Sequence, residues 1–139
     1  MEKKNSVLIV EDEVANIRLL SNILSSDYRL FAVNNGPDAI LAAQKHSPDI
    51  ILLDIIMPDM DGFAVLAALK ESVQTKDIPV IIISGLGGSP DEEKGLSCGA
   101  ADYISKPFSP LVVKYRVRNQ ALHINMKREL ESLKKEIGG

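Results

Sequence analysis

The sequence predicts a doubly wound α/β fold with one five-stranded parallel sheet and a long final helix. Three observations lead there. Residues 7–10, 50–53 and 80–83 are unbroken apolar runs without polar alternation, which suits strands covered on both faces. Strand-like and helix-like segments alternate five times, with no internal repeat or low-complexity tract, and right-handed crossovers turn that order into a parallel sheet. The apolar runs also end on polar residues: Glu11 and Asp12 after the first, Asp54 after the central one, Ser84 after the next. In open α/β sheets that carboxyl edge is where ligands bind.

Taken in order, the first run leads into a helix with Ile17, Leu20 and Leu24 on one face and Leu19 and Ile23 widening it. Residues 28–33 form the next strand, closed by Asn34-Asn35-Gly36, and Pro37 suits the first position of the second helix, with Ile40 and Ala43 inward. Ser47-Pro48 breaks that helix before the central strand, which stops on Asp54 and turns through Pro58 and Asp61-Gly62. A third helix carries Phe63, Leu66 and Leu69 and ends near Ser72. After the fourth strand, Gly85-Leu86-Gly87-Gly88 is a glycine-rich loop. Ser89, Pro90 and Glu92 then supply a cap, a first-turn proline and a capping-box glutamate. The helix they open contains Gly95 and ends at Cys98-Gly99. Tyr103 and Ile104 mark a fifth strand before Lys106-Pro107, and Ser109-Pro110 opens a last helix reaching toward Ile137.

Composition narrows the function classes. At 139 residues the chain suits one domain. Hydrophobic residues make up 45% but aromatics only 4%, so Ile, Leu, Val and Ala build the core. The net charge of −3 argues against generic nucleic-acid affinity. A single cysteine, Cys98, excludes an intramolecular disulfide and fits a reducing cytoplasm; it is expected to be buried. No segment has the roughly 20 apolar residues a membrane span needs, and the start of the chain carries no signal-peptide core. A cytoplasmic location is the expectation.

Clustered carboxylates at one sheet edge repel one another unless a cation intervenes. Mg²⁺ takes oxygen ligands and commonly binds one or two carboxylates together with phosphate and waters. Ser84 and Lys106 can hold phosphoryl oxygens, by hydrogen bond and by charge, and Asp54 is placed to be the nucleophile of an aspartyl-phosphate reaction.

These residues, in this order and after these strands, resemble the receiver domain of two-component response regulators. The resemblance rests on Glu11-Asp12, on Asp54 with Met57-Pro58 and Asp61-Gly62, on Ser84, and on the run from Gly99 through Lys106-Pro107 to Phe108. It implies the flavodoxin-like (βα)5 receiver fold over residues 5–120, with 121–139 a helical extension or linker. By the same resemblance, Asp54 accepts a phosphoryl group from a sensor histidine kinase or phosphotransfer protein. Asp12, Asp54 and the Ile56 carbonyl hold Mg²⁺, with Glu11 acting mainly through water. Lys106 pairs with Asp54 and then with its phosphate, and the Lys106-Pro107 bond is expected to be cis. Ser84 and Tyr103 form the switch pair that alters the surface of the fourth helix, fifth strand and last helix. Gly85 replaces the commoner alanine while staying small. Such a domain is a signalling module that catalyses only its own phosphorylation and dephosphorylation. A small Mg²⁺-dependent phosphatase and a phosphorylation-independent docking module are the alternatives. Ile56 and Leu86, both apolar, flank the phosphoryl site and predict slow self-dephosphorylation.

Other motifs carry less. Asp59-Met60-Asp61-Gly62 is like the DxDG nucleophile motif of haloacid-dehalogenase-type phosphatases, but Pro58 and a turn separate it from the strand. Gly85-Leu86-Gly87-Gly88 lacks the third glycine of a dinucleotide fingerprint, since Pro90 stands there. His46 and His123 are expected at the surface. Residues 103–128 contain no acid, while Lys106, Lys114, Arg116, Arg118, Lys127 and Arg128 are basic, and no helix-turn-helix follows, so a solvated face or pairing with Asp91, Glu92 and Glu93 of a partner chain is expected rather than DNA contact. Leu122, Met126, Leu130, Leu133 and Ile137 are spaced four, four, three and four, a hendecad-like seam for a parallel homodimer or a helix prolonged toward an output domain. The run from Lys106 to Glu131 also resembles receivers joined to domains that make or degrade cyclic di-GMP.

Overall fold

The computed structural model describes residues 4–58, 61–85 and 89–138. Five strands and five helices alternate along them: β1 (Ser6–Val10), α1 (Val14–Leu24), β2 (Arg29–Val33), α2 (Gly36–His46), β3 (Ile50–Asp54), α3 (Gly62–Glu71), β4 (Val80–Ser84), α4 (Ser89–Ser97), β5 (Asp102–Ser105) and α5 (Pro110–Gly138). The strands form one parallel sheet in the order β2-β1-β3-β4-β5. This is the doubly wound five-stranded α/β fold expected from the sequence, with its long last helix. Among the described residues no helix is long and apolar enough to cross a membrane.

The unbroken apolar runs are explained by the two faces of the sheet. Side chains alternate across a strand, so Val7, Ile9, Ile50, Leu52, Ile81 and Ile83 meet Leu20, Ile23 and Leu24 of α1 and Val113, Val117 and Ala121 of α5. Leu8, Val10, Ile51, Leu53, Val80 and Ile82 face the other way, onto Ala39 and Ala43 of α2 and Val65, Leu66 and Leu69 of α3. β1, β3 and β4 are buried along their whole length, whereas the edge strand β2 is only half-buried.

Several local expectations change. Tyr28 precedes β2 rather than opening it, and α4 closes at Ser97. Leu19 is 45% exposed, because α1 needs only Leu20, Ile23 and Leu24 to cover its strip of sheet. Ile40 and Ala43 face inward as expected, Ile40 packing half-buried against the core, and Ala39 is buried beside them. Cys98 is exposed rather than buried, since it follows the end of α4 in the turn toward β5. His46 and His123 are exposed as expected, and His46 stacks on Phe31 with ring centroids 4.2 Å apart.

Gly95 is buried in α4, and a Cβ there would collide with Cδ1 of Ile82 on β4. Gly95 therefore lets α4 approach the sheet closely, at the cost of helix propensity. The Ser89 and Pro90 side chains and Leu86-Gly87-Gly88, on which the cap and loop expectations fell, lie outside what is described, as do Asp59 and Met60.

α5 continues well past its last buried residue, Ala121. Ile124 packs against the core rim, and two polar contacts then pin the helix to the amino-terminal edge of the sheet. Asn125 and Asn5 exchange side-chain amide hydrogen bonds, both of 3.1 Å. Arg128 donates to Asp49 at 2.6 Å. Asp49 also accepts from the Ser6 backbone N–H at 2.8 Å and from Asn5 at 3.3 Å. Beyond Arg128 the described residues of the helix are all exposed.

Candidate functional site

The site is assembled by strand register. Leu53 lies opposite Val10, which brings Asp54 beside Glu11. Asp54 in turn lies opposite Ile83, one residue before Ser84, and Ser84 lies opposite Ser105, one residue before Lys106. Four chemically active residues thus meet at the carboxyl ends of four adjacent strands. The Lys106 N–H donates to the Ser84 carbonyl at 2.9 Å, which holds the start of the following loop to the edge. The Lys106-Pro107 peptide is cis.

Asp54 is 2% exposed and Glu11 1% exposed, so both carboxylates are withdrawn from water. The Lys106 ammonium reaches between them, 3.2 Å from Asp54 Oδ2 and 3.2 Å from Glu11 Oε2. The pairing with Glu11 is an addition to the expectation, which had Lys106 meet Asp54 alone. Asp54 Oδ1 accepts the Ile56 N–H at 3.1 Å, and Glu11 Oε1 accepts the Glu13 N–H at 3.3 Å.

One cation between two buried carboxylates leaves excess negative charge. Burial, together with the neighbouring Asp54 charge, raises the Glu11 pKa to about 7 despite the opposing effect of Lys106. The Lys106 pKa is also raised: burial works against its charge, but the Asp54 and Glu11 carboxylates outweigh that effect.

Asp12 completes a group of three. Glu11, Asp12 and Asp54 each offer a carboxylate oxygen, and these oxygens lie within 4.8 Å of one another. Asp12 is only half-buried, which leaves the group open to solvent on one side. The residues fit a hard divalent cation in donor type and in charge. Its waters could enter from the Asp12 side, and Glu11 Oε2 is buried with no hydrogen-bond partner among the described residues beyond its ion pair with Lys106.

The turn after β3 is built to present Asp54. The Gly62 N–H donates to the Ile55 carbonyl at 3.0 Å, and Asp61 caps α3 through the Phe63 N–H at 3.0 Å. A Cβ on Gly62 would run into the Ile55 Cα and lie 2.9 Å from the Asp54 carbonyl oxygen. Only glycine fits there without moving the backbone that carries Asp54. Asp61-Gly62 is thus a cap and a close-packing position.

Ser84 is fully buried. A Cβ on Gly85 would sit 3.6 Å from the Lys106 side chain, an ordinary contact, so the commoner alanine would also fit. Tyr103 is half-buried against the second core cluster, and its hydroxyl is buried without a hydrogen-bond partner among the described residues. Next to it Asp102 accepts the Tyr103 N–H at 2.8 Å and pairs with Arg116 of α5 at 3.4 Å. Ile56 is 46% exposed at the rim, while its expected companion Leu86 lies outside the described residues.

The model of the response regulator receiver domain family matches residues 7–118. The chain belongs to this family. The receiver is 42% identical over 114 residues to the response regulator PleD of Caulobacter vibrioides, an alignment covering 81% of the chain and 25% of that protein. It is 37% identical over 128 residues to a probable cyclic di-GMP phosphodiesterase of Vibrio cholerae, covering 92% of the chain and 28% of that protein. The chain therefore spans about a quarter of the length of these curated relatives. Among solved structures, the receiver superposes on the chemotaxis response regulator CheY4 of Vibrio cholerae with a TM-score of 0.79 at 26% identity, covering 85% of the chain and 99% of the other. NtrX from Brucella abortus gives a TM-score of 0.85 at 29% identity, covering 99% of the chain and 30% of NtrX. As a receiver, the chain is a signalling module of a two-component system.

Proposed function

We propose that Asp54 is the phosphoacceptor of this receiver and takes its phosphoryl group from a phosphohistidine on a sensor histidine kinase or phosphotransfer protein. The observation that carries the reading is the placement of Asp54. Its carboxylate is buried at a strand end, oriented by the Ile56 N–H, faced by the Lys106 ammonium at 3.2 Å and grouped with Glu11 and Asp12.

In the transfer, a carboxylate oxygen of Asp54 bonds to phosphorus as the phosphorus–nitrogen bond to histidine breaks. The bonding pair leaves with the imidazole, which takes up a proton, and an acyl phosphate remains. Asp12, Asp54 and the Ile56 carbonyl would hold Mg²⁺, with Glu11 reaching it mainly through water. The ion supplies charge neutralisation for the phosphoryl oxygens when bound. Lys106 follows the charge from carboxylate to phosphate.

Phosphorylation brings about −1.5 to −2 charge and three acceptor oxygens to the sheet edge. The Ser84 hydroxyl then moves to a phosphoryl oxygen, Tyr103 settles behind it, and the surface of α4, β5 and α5 changes. Such a shift extends only as far as the phosphoryl group favours one arrangement over the other. That surface would act on a partner or on an output domain; one relative is named a probable cyclic di-GMP phosphodiesterase, and a cyclic-di-GMP-related domain is the output we propose. Residues 5–120 would form the receiver and 121–139 the connecting helix. A cytoplasmic location agrees with a kinase donor.

Mass spectrometry after incubation with acetyl phosphate and Mg²⁺ tests the reading. A stable gain of one phosphoryl group, lost in Asp54→Asn, is expected. Catalytic release of phosphate from a model ester would instead mark a phosphatase, and no mass gain would mark a phosphorylation-independent docking module.

A further inference from the structure

The last turns of α5 carry an apolar stripe that the receiver body does not cover. Leu122, Met126, Leu130, Leu133 and Ile137 are 48%, 68%, 53%, 47% and 85% exposed. The contacts described above decide which side of the helix faces the body: Ala121 is buried, Ile124 packs on the core rim, and Asn125 and Arg128 bond to Asn5 and Asp49. At 3.6 residues per turn, the stripe is centred about 150° around the helix from that anchored side and is about 80° wide. It is narrow, continuous and turned away from the domain.

Its period is orderly. Leu122 and Leu133 are separated by eleven residues, as are Met126 and Ile137, so the stripe stays on one side of a nearly straight helix. From Leu130 onward the spacing is three and four, which places Glu129 and Lys134 in the two positions flanking a two-helix seam. Neither makes an ion pair within the chain among the described residues. In a parallel, in-register pair, Glu129 faces Lys134 of the partner subunit, and the two-fold axis repeats the contact. The stripe and its rim are complementary to themselves.

We propose that this face of α5 is the seam of a parallel two-helix dimer with a second copy of the chain. Short helices are marginal alone in water. Here the helix is already nucleated and held by the receiver through Arg128, so association has less order to impose. The proposal stands apart from the phosphoryl chemistry at the opposite end of the sheet.

The test uses the full chain. Sedimentation or light scattering over a dilution series is expected to give the mass of two chains. Leu130→Lys, at an exposed position, should weaken the dimer at least about tenfold, or ~1.4 kcal/mol, with circular dichroism and the Asp54 mass gain unchanged. Glu129→Lys and Lys134→Glu should each weaken self-association, and mixing the two variants should restore it as a mixed dimer. Orientation is read by cysteines placed singly at Met126 and Ile137 in a Cys98→Ser background, which both form a disulfide between copies if the helices run parallel in register. A single-chain mass throughout, a dimer indifferent to Leu130→Lys, or cross-linking at neither or only one cysteine position would each overturn the proposal.

Discussion

Arg128 of α5 and Asp49, the residue before β3, are joined at 2.6 Å across 79 residues of sequence. Asp49 is also the acceptor for Ser6 and Asn5 at the start of β1. One carboxylate therefore ties together the first strand, the central strand and the final helix. Arg128→Ala is expected to cost about 1 kcal/mol in overall stability, because the arginine is largely exposed. The larger effect should be local: amide exchange at 122–138 should quicken while exchange in β1, β3 and β4 stays slow. The Asp49 pKa is lowered: burial alone would raise it, but the Ser6 N–H and Arg128 outweigh burial. Its contribution is complete above the ordinary carboxylate range and disappears as pH falls through that range and below. Acid titration should therefore release the end of α5, and Arg128→Ala should blunt that release.

Lys106→Met should slow phosphorylation of Asp54 by acetyl phosphate about 100-fold, the usual scale for removing one preorganised charge-stabilising donor. The rate of mass gain reads this. A Lys106→Met protein that gains mass at the unsubstituted rate would show that the ammonium at 3.2 Å is structural only.

Glu11 predicts an unusual pH dependence for the metal-free protein. Its pKa is raised to about 7 by burial and by Asp54, so between about pH 4.5 and 7 the folded state keeps a proton that the unfolded chain has lost. Stability from this group is full below the ordinary glutamate value and falls as pH rises to about 7, by a few kcal/mol at most. Thermal melts in chelator should show that fall, and Glu11→Gln should flatten it. Metal ligation requires the ionised form, so the rise in Tm produced by Mg²⁺ should grow from about pH 5 to about pH 8.

Two glycines that look alike in sequence should respond differently to alanine. Gly62→Ala drives a methyl into the Ile55 backbone beside the Asp54 carbonyl, where nothing can yield without moving the site. A loss of about 3 kcal/mol is expected, with phosphorylation impaired in the protein that still folds. Gly95→Ala clashes with the terminal methyl of Ile82 alone, its other neighbours lying at ordinary contact distance; that methyl can rotate, and the change gains about 1 kcal/mol of helix propensity. It should be near neutral. Urea denaturation of both variants checks the contrast.

By the family resemblance Ile56 and Leu86 would flank the proposed phosphoryl site, and neither apolar side chain could orient an attacking water. The phosphoryl half-life should shorten in Leu86→Asn, followed by loss of the mass gain over time, and a longer half-life would contradict the reading.

The parallel sheet and its acidic edge were legible because parallel strands buried on both faces leave unbroken apolar runs, and those at residues 7–10, 50–53 and 80–83 each stop at a site residue. Other features depend on partners far away in sequence, where periodicity carries no information. The Lys106–Glu11 pair requires the register of three strand pairings. The basic stretch of 103–128 read as a solvated face, yet Arg116 and Arg128 find acids at Asp102 and Asp49. Cys98 shows the opposite limit: an intrinsically buried residue type is left outside by a turn whose direction is set by β5.

The polar pin at Asn125 and Arg128 divides α5 into unequal arms of about 23–27 Å and 15–20 Å at 1.5 Å per residue. A rigid rod held at such a point behaves as a seesaw. Any tilt of the longer arm, which lies beside β5 and the Asp102–Arg116 contact, emerges at Gly138 reversed in direction and reduced in size. A sideways displacement of ~2 Å near Pro110 would swing the far end by roughly 1.1–1.7 Å the other way, so whatever sits beyond residue 138 would receive an inverted copy of the motion.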